Sequence, residues 1–308
     1  MGDGSTRHAS RVLLFEREQG RALLFLDEFP DLPGRATWIT PGGGVEPGET
    51  PGQAASRELR EETGLEVADL GPAVTEFDFA VRRPSAKHSR AHWHFFVHIV
   101  DEAFEPSRTH WTAEEHETVK AVRWWTLDEL VTEAPRFAPR NLPALIAKYG
   151  PEDPERLMRV VESQPQIDVP SFDRDDAIEL GRITVDIITA ISANLAVEIV
   201  LGGEAVFSAR LGKTGPQNDP WLAGKAAAAA WGQEPSIMAR LRAEAAGAEF
   251  VDGPRDGFAD VRGHGGCVPI RVDGRIVGTL TTSGEPDLVD HAVAAAAMRR
   301  WLTGRGLS

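Results

Sequence analysis

GGVEPGETPGQAASRELREETGL, residues 43–65, decides how this chain is read. Thr50 or Glu49 followed by Pro51 predicts a helix entry, because a proline in the first turn gives up an N–H that has no partner there anyway. QAASRELREET then predicts helix, and Gly64 predicts its end. On that helix Glu58, Glu61 and Glu62 fall at i, i+3 and i+4, stacked on one face. Three carboxylates so close repel one another unless a cation lies among them. Hard oxygen donors at that density suit Mg²⁺ or Mn²⁺, which complete their shells with water and substrate phosphates. Arg57 stands where it orients the neighbouring acids, and Ala54, Ala55 and Leu59 are left to pack on a core. Ahead of the helix, Gly42, Gly43 and Gly44 let backbone come close to a metal and to phosphates.

Gly43, Glu49, Arg57, Glu58, Leu59, Glu61, Glu62, Gly64 and Leu65 match G-x5-E-x7-R-E-U-x-E-E-x-G-U, with U aliphatic, at every position. At ordinary residue usage a chance match at a given start is on the order of one in 10^8. The chain here resembles the Nudix hydrolase family. The resemblance implies an α/β fold, an α/β/α sandwich around a mixed sheet over residues 8–149. It also implies a metal held by Gly43, Glu58, Glu61 and Glu62, with Arg57 among the catalytic residues. Members often use a further glutamate on a loop before the last strand. WTAEEHETV offers Glu114, Glu115 and Glu117 there, with Glu115 carried forward as the candidate.

Elsewhere the composition sets bounds. A chain of 308 residues suggests two domains, and 42% hydrophobic with 26% charged residues is ordinary for a globular protein. The longest apolar run, AAAAAW after Lys225, is too short for a membrane span. MGDGSTRHAS lacks the apolar core of a signal peptide, and the single cysteine, Cys267, allows no internal disulfide; both favour the cytoplasm. A net charge of −14 argues against binding a nucleic-acid polymer. An anionic substrate must then be drawn by metal or by local positive charge.

RVLLFE (11–16) and ALLFL (22–26), split by a glycine turn, predict a hairpin, and TWI leads into the glycine loop. VTEFDFAVRR (74–83) and HWHFFVHIV (92–100) predict strands around a basic tip. That tip carries Arg82, Arg83, Lys87 and Arg90, a candidate clamp for substrate phosphates. A strand at 119–125 and helices at 127–130 and 141–149 complete the first half. Gly150-Pro151-Glu152-Asp153-Pro154 breaks the pattern, so the expected domains are 1–150 and 151–308.

In the second half Asp173 predicts the N-cap of a long helix to Ile191. Gly202-Gly203 and Asp273-Gly274 predict hairpins, with helices at 221–231, 236–246 and 287–302. Gly212-Lys213-Thr214 is not a phosphate loop, because Phe207 stands where its first glycine belongs. Phe172-Asp173, Leu180-Gly181, Asn218-Asp219, Trp221, Lys225, His264-Gly265-Gly266-Cys267, Gly278-Thr279, Ser283-Gly284 and Asp290-His291 make this half similar to the haem-degrading-domain family. That resemblance implies a smaller profilin-like α/β domain with antiparallel hairpins, frequent oligomers, and haem as a ligand of some members. His264 and His291 are the candidate ligand residues. The alanine runs 226–230 and 292–297 suggest helices packed closely, within a subunit or between copies in a homo-oligomer.

The expected function is hydrolysis of a pyrophosphate bond in a nucleoside diphosphate linked to another group. The competing expectation is a non-enzymatic protein that binds haem or a nucleotide and assembles.

Overall fold

The computed structural model describes residues 6–81 and 88–307. The first half runs β1 (Thr6–Glu16), β2 (Ala22–Asp27), β3 (Thr37–Ile39), α1 (Pro51–Thr63), β4 (Thr75–Ala80) and β5 (Arg90–Val100). It continues with α2 (Ala113–Thr118), β6 (Val119–Trp125), α3 (Leu127–Glu133), β7 (Phe137–Ala138) and α4 (Leu142–Tyr149). The strands form one mixed sheet in the order β4-β5-β1-β2-β3-β7, with β6 on β2.

The expected hairpin of β1 and β2 is a brief one. Only Phe15 and Ala22 are in register, and β2 then leaves to pair with β3 and β6. The cause is the glycine loop. Val12 N–H donates to Pro41, Ser10 N–H to Gly43, and Val45 N–H to the His8 carbonyl, so residues 41–45 take the edge of β1 that β2 vacates. The other edge of β1 pairs in parallel with β5 from Thr6↔Arg90 to Glu16↔Val100.

Helix α1 is capped at both ends. Thr50 accepts from Gln53 N–H while the Gln53 side chain answers the Thr50 N–H, and Gly64 closes the helix in the left-handed conformation at φ 78°. Its inner face, Ala55 and Leu59, packs with Val12, Leu14, Phe25, Ile39, Phe96 and Trp111. Leu59 is wholly buried, a position where truncation to alanine costs about 2–5 kcal/mol. The same helix thus anchors its back in the core and turns its carboxylates forward.

The second half runs α5 (Pro154–Ser163), β8 (Ile167–Val169), α6 (Arg174–Ala190), β9 (Ala196–Leu201), β10 (Glu204–Arg210), α7 (Asp219–Gly232) and α8 (Ile237–Ala245). β11 (Gly253–Arg255), β12 (Phe258–Val261), β13 (Cys267–Val272), β14 (Arg275–Ser283) and α9 (Asp287–Gly304) complete it. A five-stranded sheet, β10-β9-β14-β13-β8, is antiparallel except for β8, which joins β13 in parallel. Both expected hairpins are present, and Asp173 caps α6. β8 and the small β11–β12 ribbon were not expected; proline and glycine hide them in the pattern.

The chain separates into two compact units that interleave in sequence. One comprises residues 1–126, 135–142 and 149–151; the other comprises 127–134, 143–148 and 152–308. Within the second unit, Arg299 of α9 reaches Asp128 at 3.0 Å and the Thr132 hydroxyl at 2.8 Å, both on α3. No helix among the described residues is long and apolar enough to cross a membrane.

Candidate active site

The glycine loop meets α1 with no room to spare. A Cβ on Gly42 would lie 2.1 Å from the Ser10 carbonyl oxygen, at φ 130°, and one on Gly43 would lie 2.3 Å from Glu58 Oε1. Glycine is therefore required for the loop to lie against β1 and for the Glu58 carboxylate to lie against the loop. Gly42 N–H donates to Glu62 Oε2 at 2.7 Å. The Gly43 carbonyl accepts from Ser10 N–H and keeps a second lone pair.

Arg57 organises the acids, as its position on the helix suggests. It donates to both oxygens of Glu49 (2.9 and 3.1 Å), to Glu58 Oε1 (2.9 Å), to Glu61 Oε2 (3.1 Å) and to the Gly44 carbonyl (2.9 Å). These bonds, those to Glu49 foremost, raise its pKa further and hold the Glu49 carboxyl below its usual range. Glu49 is thus a structural counterion for Arg57.

Glu58, Glu62 and Glu115 bring one carboxylate oxygen each within 4.8 Å of one another, all three side chains partly buried. Burial raises the Glu58 pKa and pushes Glu62 well above the ordinary carboxylate value, with Glu58 itself adding repulsion at Glu62. Glu61, the other carboxylate the helix spacing puts on this face, is turned to Arg57 and lies 3.8 Å from Arg60. Three converging carboxylates, with the charge of Glu58 and Glu62 made costly by burial, are a donor set that suits a hard divalent cation.

The three acids lie on the short helix α2 rather than on a loop, and of them Glu115 reaches the cluster because a capping box aims it. Thr112 caps α2, and Glu115 Oε2 accepts from the Thr112 N–H and hydroxyl at 2.5 and 2.7 Å. Thr-x-x-Glu is legible in WTAEEHETV as such a box and would have separated Glu115 from its neighbours. Glu114 lines the adjoining cleft, and Glu117 is exposed.

That cleft, of about 650 Å³, is lined by Arg7, Arg11, Arg35, Arg136, Phe79 and Trp93, among others. These arginines come from three segments, Arg7 and Arg11 from β1 and the others from the stretches before β3 and β7, and no local pattern in the sequence points to them. Arg11 donates to the Thr40 and Gly42 carbonyls at 3.1 and 2.6 Å and lies 4.7 Å over the Trp93 ring. Burial lowers its pKa, opposed by Glu62, Asp27 and Glu58. Burial also raises the Asp27 pKa. Of the basic tip, Arg82, Arg83 and Lys87 lie outside the described residues, and Arg90 is exposed at the start of β5.

In the second unit, His264 Nε2 meets Asp252 at 3.1 Å and its ring stands edge-on to Trp221. It lines a cleft of about 320 Å³ with Trp221, Lys225, Asp287 and Asp290. His291 is buried, meets the Gln164 side-chain oxygen at 2.8 Å, and is pushed down to about 4 by that burial. Cys267 is buried with its thiol pushed up to about 12, a small hydrophobe in behaviour.

Comparison with known proteins matches residues 6–147 to the NUDIX domain and residues 172–299 to the haem degrading protein HbpS-like family. A UPF0303 protein of Streptomyces avermitilis is 30% identical over 151 residues, 49% of this chain and 93% of its own length. A UPF0303 protein of Streptomyces coelicolor is 33% identical over 135 residues, 42% of this chain and 84% of its own. Among solved structures, that of the Ybr137w protein is 21% identical, covering 50% of this chain and 89% of its own at a TM-score of 0.41. That of the E. coli dihydroneopterin triphosphate pyrophosphohydrolase is 20% identical, covering 46% and 93% at a TM-score of 0.36. The protein is a fusion, a NUDIX domain carrying the carboxylate site followed by an HbpS-like domain. By the first of these relatives, nearly all of whose length it spans, the chain belongs to the UPF0303 proteins.

Proposed function

We propose that the chain is a pyrophosphohydrolase dependent on Mg²⁺ or Mn²⁺, acting on a nucleoside diphosphate linked to another group. The observation that carries this reading is the convergence of Glu58, Glu62 and Glu115 within 4.8 Å, inside a NUDIX domain. Those three residues would hold the cation, with the Gly43 carbonyl beside them. When bound, the ion would neutralise the diphosphate and lower the pKa of water for attack on phosphorus.

The chain's own groups do the rest. Arg57 fixes the rotamer of Glu58 and keeps Glu61 beside the cluster. Gly42 N–H fixes Glu62. The capping box fixes Glu115, so none of the three has to be ordered at the moment of reaction. The arginines of the cleft suit phosphate oxygens, and Phe79 and Trp93 offer apolar surface to a base.

A panel of nucleoside diphosphate derivatives, assayed for phosphate after coupled phosphatase treatment, tests this. Release that requires Mg²⁺ or Mn²⁺ is expected for at least one compound; none, with either ion, would reject the reading. Intact carboxylates weigh against the non-enzymatic alternative, since a binding protein has no need of all of them.

The basic tip is proposed as a phosphate clamp. Neutralising Arg82, Arg83, Lys87 and Arg90 together is expected to raise KM with a smaller change in kcat. The effect should fade with salt, since exposed charges are screened within about 10 Å at 0.1 M. KM unchanged at low salt would return the cluster to plain surface. Ala228, Ala229 and the α9 alanines 292 and 294–297 are buried within the chain itself, so the homo-oligomer assembly proposed for the second unit would use other surface. Haem stays a proposal for that unit, tested by a Soret shift on adding haemin that is lost in His264→Ala or His291→Ala.

A further inference from the structure

Strand pairing gathers a second group of ligand-type side chains on one face of the first sheet. His8 on β1 is in register with His92 on β5, and His94 lies beyond His92 on the same face. On the far side of β5, Asp78 of β4 is in register with His92, and Glu76 with His94. One ring nitrogen from each of His8, His92 and His94 lies within 4.8 Å of the others. The spacing of the rings is tight, with centroids 4.5 Å apart for His92 and His94 and 5.3 Å for His8 and His92.

The outer nitrogens of the two β5 histidines are held by carboxylates. His94 Nδ1 meets Glu76 Oε1 at 2.8 Å, and His92 Nδ1 meets Asp78 Oδ1 at 3.0 Å. With Nδ1–H donated to the acid, a ring turns its Nε2 toward the other histidines, the arrangement that orients metal-bound histidine. His92 Nε2 also lies 3.3 Å from Glu76 Oε2, so an ion entering there takes the place of that contact. His94 Nε2 faces His8 Nδ1 at 3.5 Å. Two nitrogens about 2.05 Å from one tetrahedral ion stand roughly 3.3–3.4 Å apart. The observed gap is close to the spacing of two ligands on a shared ion, and it is long for a hydrogen bond between rings. The cluster also has an approach from solvent, for Glu76 and His94 line an open cleft of about 580 Å³ beside the first turn of α1.

We infer that His8, His92 and His94 form a binding site for a first-row transition ion of the Zn²⁺ type, with Glu76 and Asp78 as orienting acids. Imidazole donors favour such ions strongly over Mg²⁺, whereas the all-carboxylate cluster of Glu58, Glu62 and Glu115 suits Mg²⁺ or Mn²⁺ at the concentrations where they are abundant. The chain thus offers two chemically distinct cation sites within one domain.

The test uses the full-length protein, stripped with a chelator and titrated with Zn²⁺ in millimolar Mg²⁺ that occupies the carboxylate cluster. One Zn²⁺ per chain at micromolar affinity or tighter is expected. His94→Ala should weaken it by 100-fold or more, and Glu76→Gln, which frees a ring without removing a ligand, by about 10–100-fold. Co²⁺ in place of Zn²⁺ should give the visible absorption of a tetrahedral nitrogen site, lost in His8→Ala. His8 is exposed near the start of β1, so that variant leaves the core intact; circular dichroism checks each fold. No Zn²⁺ bound in wild type overturns the inference. So does Zn²⁺ affinity unchanged in both His8→Ala and His94→Ala, or binding abolished by Glu62→Gln instead.

Discussion

Glu62→Gln is expected to cut turnover by two or more orders of magnitude without lowering the melting temperature. The amide keeps the size of the side chain and an oxygen to accept the Gly42 N–H, so the loop stays in place. What it removes is a charge whose burial already raises its pKa, attracted by Arg11 and repelled by Glu58 in the metal-free protein. A positioned electrostatic group of this kind is worth about 10²–10³ in rate, while the desolvation cost and Glu58 repulsion that the amide relieves offset its lost attraction for Arg11. Steady-state kinetics at saturating Mg²⁺ beside a thermal melt reads both halves. Near-normal turnover would remove Glu62 from the chemistry. A melting temperature that drops steeply would make it a structural residue.

The largest stability effect is expected in the second unit. Lys225 donates to Asp290 at 2.6 Å and to the Thr282 carbonyl, and both charged side chains are almost wholly buried. Lys225→Met leaves the aspartate without its partner, which costs about 3–5 kcal/mol. Burial already raises Asp290 to about 7, with Lys225 pulling the other way; removing the lysine raises it further. The folded variant then holds a proton that the unfolded chain, with an ordinary carboxylate, releases near pH 4. Stability therefore falls as pH rises above that value, by at most about 1.4 kcal/mol per pH unit. Denaturant midpoints at pH 5 and pH 8 should show the variant much weaker at pH 8. Adding Asp290→Asn should recover most of the loss. Equal losses at the two pH values would mean that the ion pair does not govern this core.

How far the sequence carries depends on how local each feature is. Gly43, Arg57, Glu58 and Glu62 lie within one loop and one helix, so spacing alone predicts their neighbourhood. Glu61 shows the limit of that reasoning. Periodicity puts it on the acidic face, yet one oxygen is claimed by Arg57, and competition between side chains leaves no trace in a period of 3.6. Glu115 is one of three acids in the sequence, and only its capping box singles it out. Arg7, Arg11, Arg35 and Arg136 meet only because β1, the loop before β3 and the segment before β7 are brought together by sheet pairing. The histidine face is a mixed case. His92-Trp93-His94 announces two rings on one side of a strand, but His8 joins them through a parallel register 84 residues away. β8 escapes notice because three residues between Pro165 and Pro170 carry too little alternation to stand out.

The interleaving of the two compact units has a consequence for inheritance. Fusion of two genes makes a chain that one cut can divide, each part recoverable by recombination. Here residues 127–134 and 143–148 precede the Pro151 junction but belong with the unit on its C-terminal side. A copy beginning at residue 152 would leave Arg299 without Asp128 and Thr132, and α9 without the helix α3 that it packs against. The second half has come to depend on sequence lying on the other side of the seam. A recombination event at this junction that carried off the second half alone would therefore leave these contacts behind.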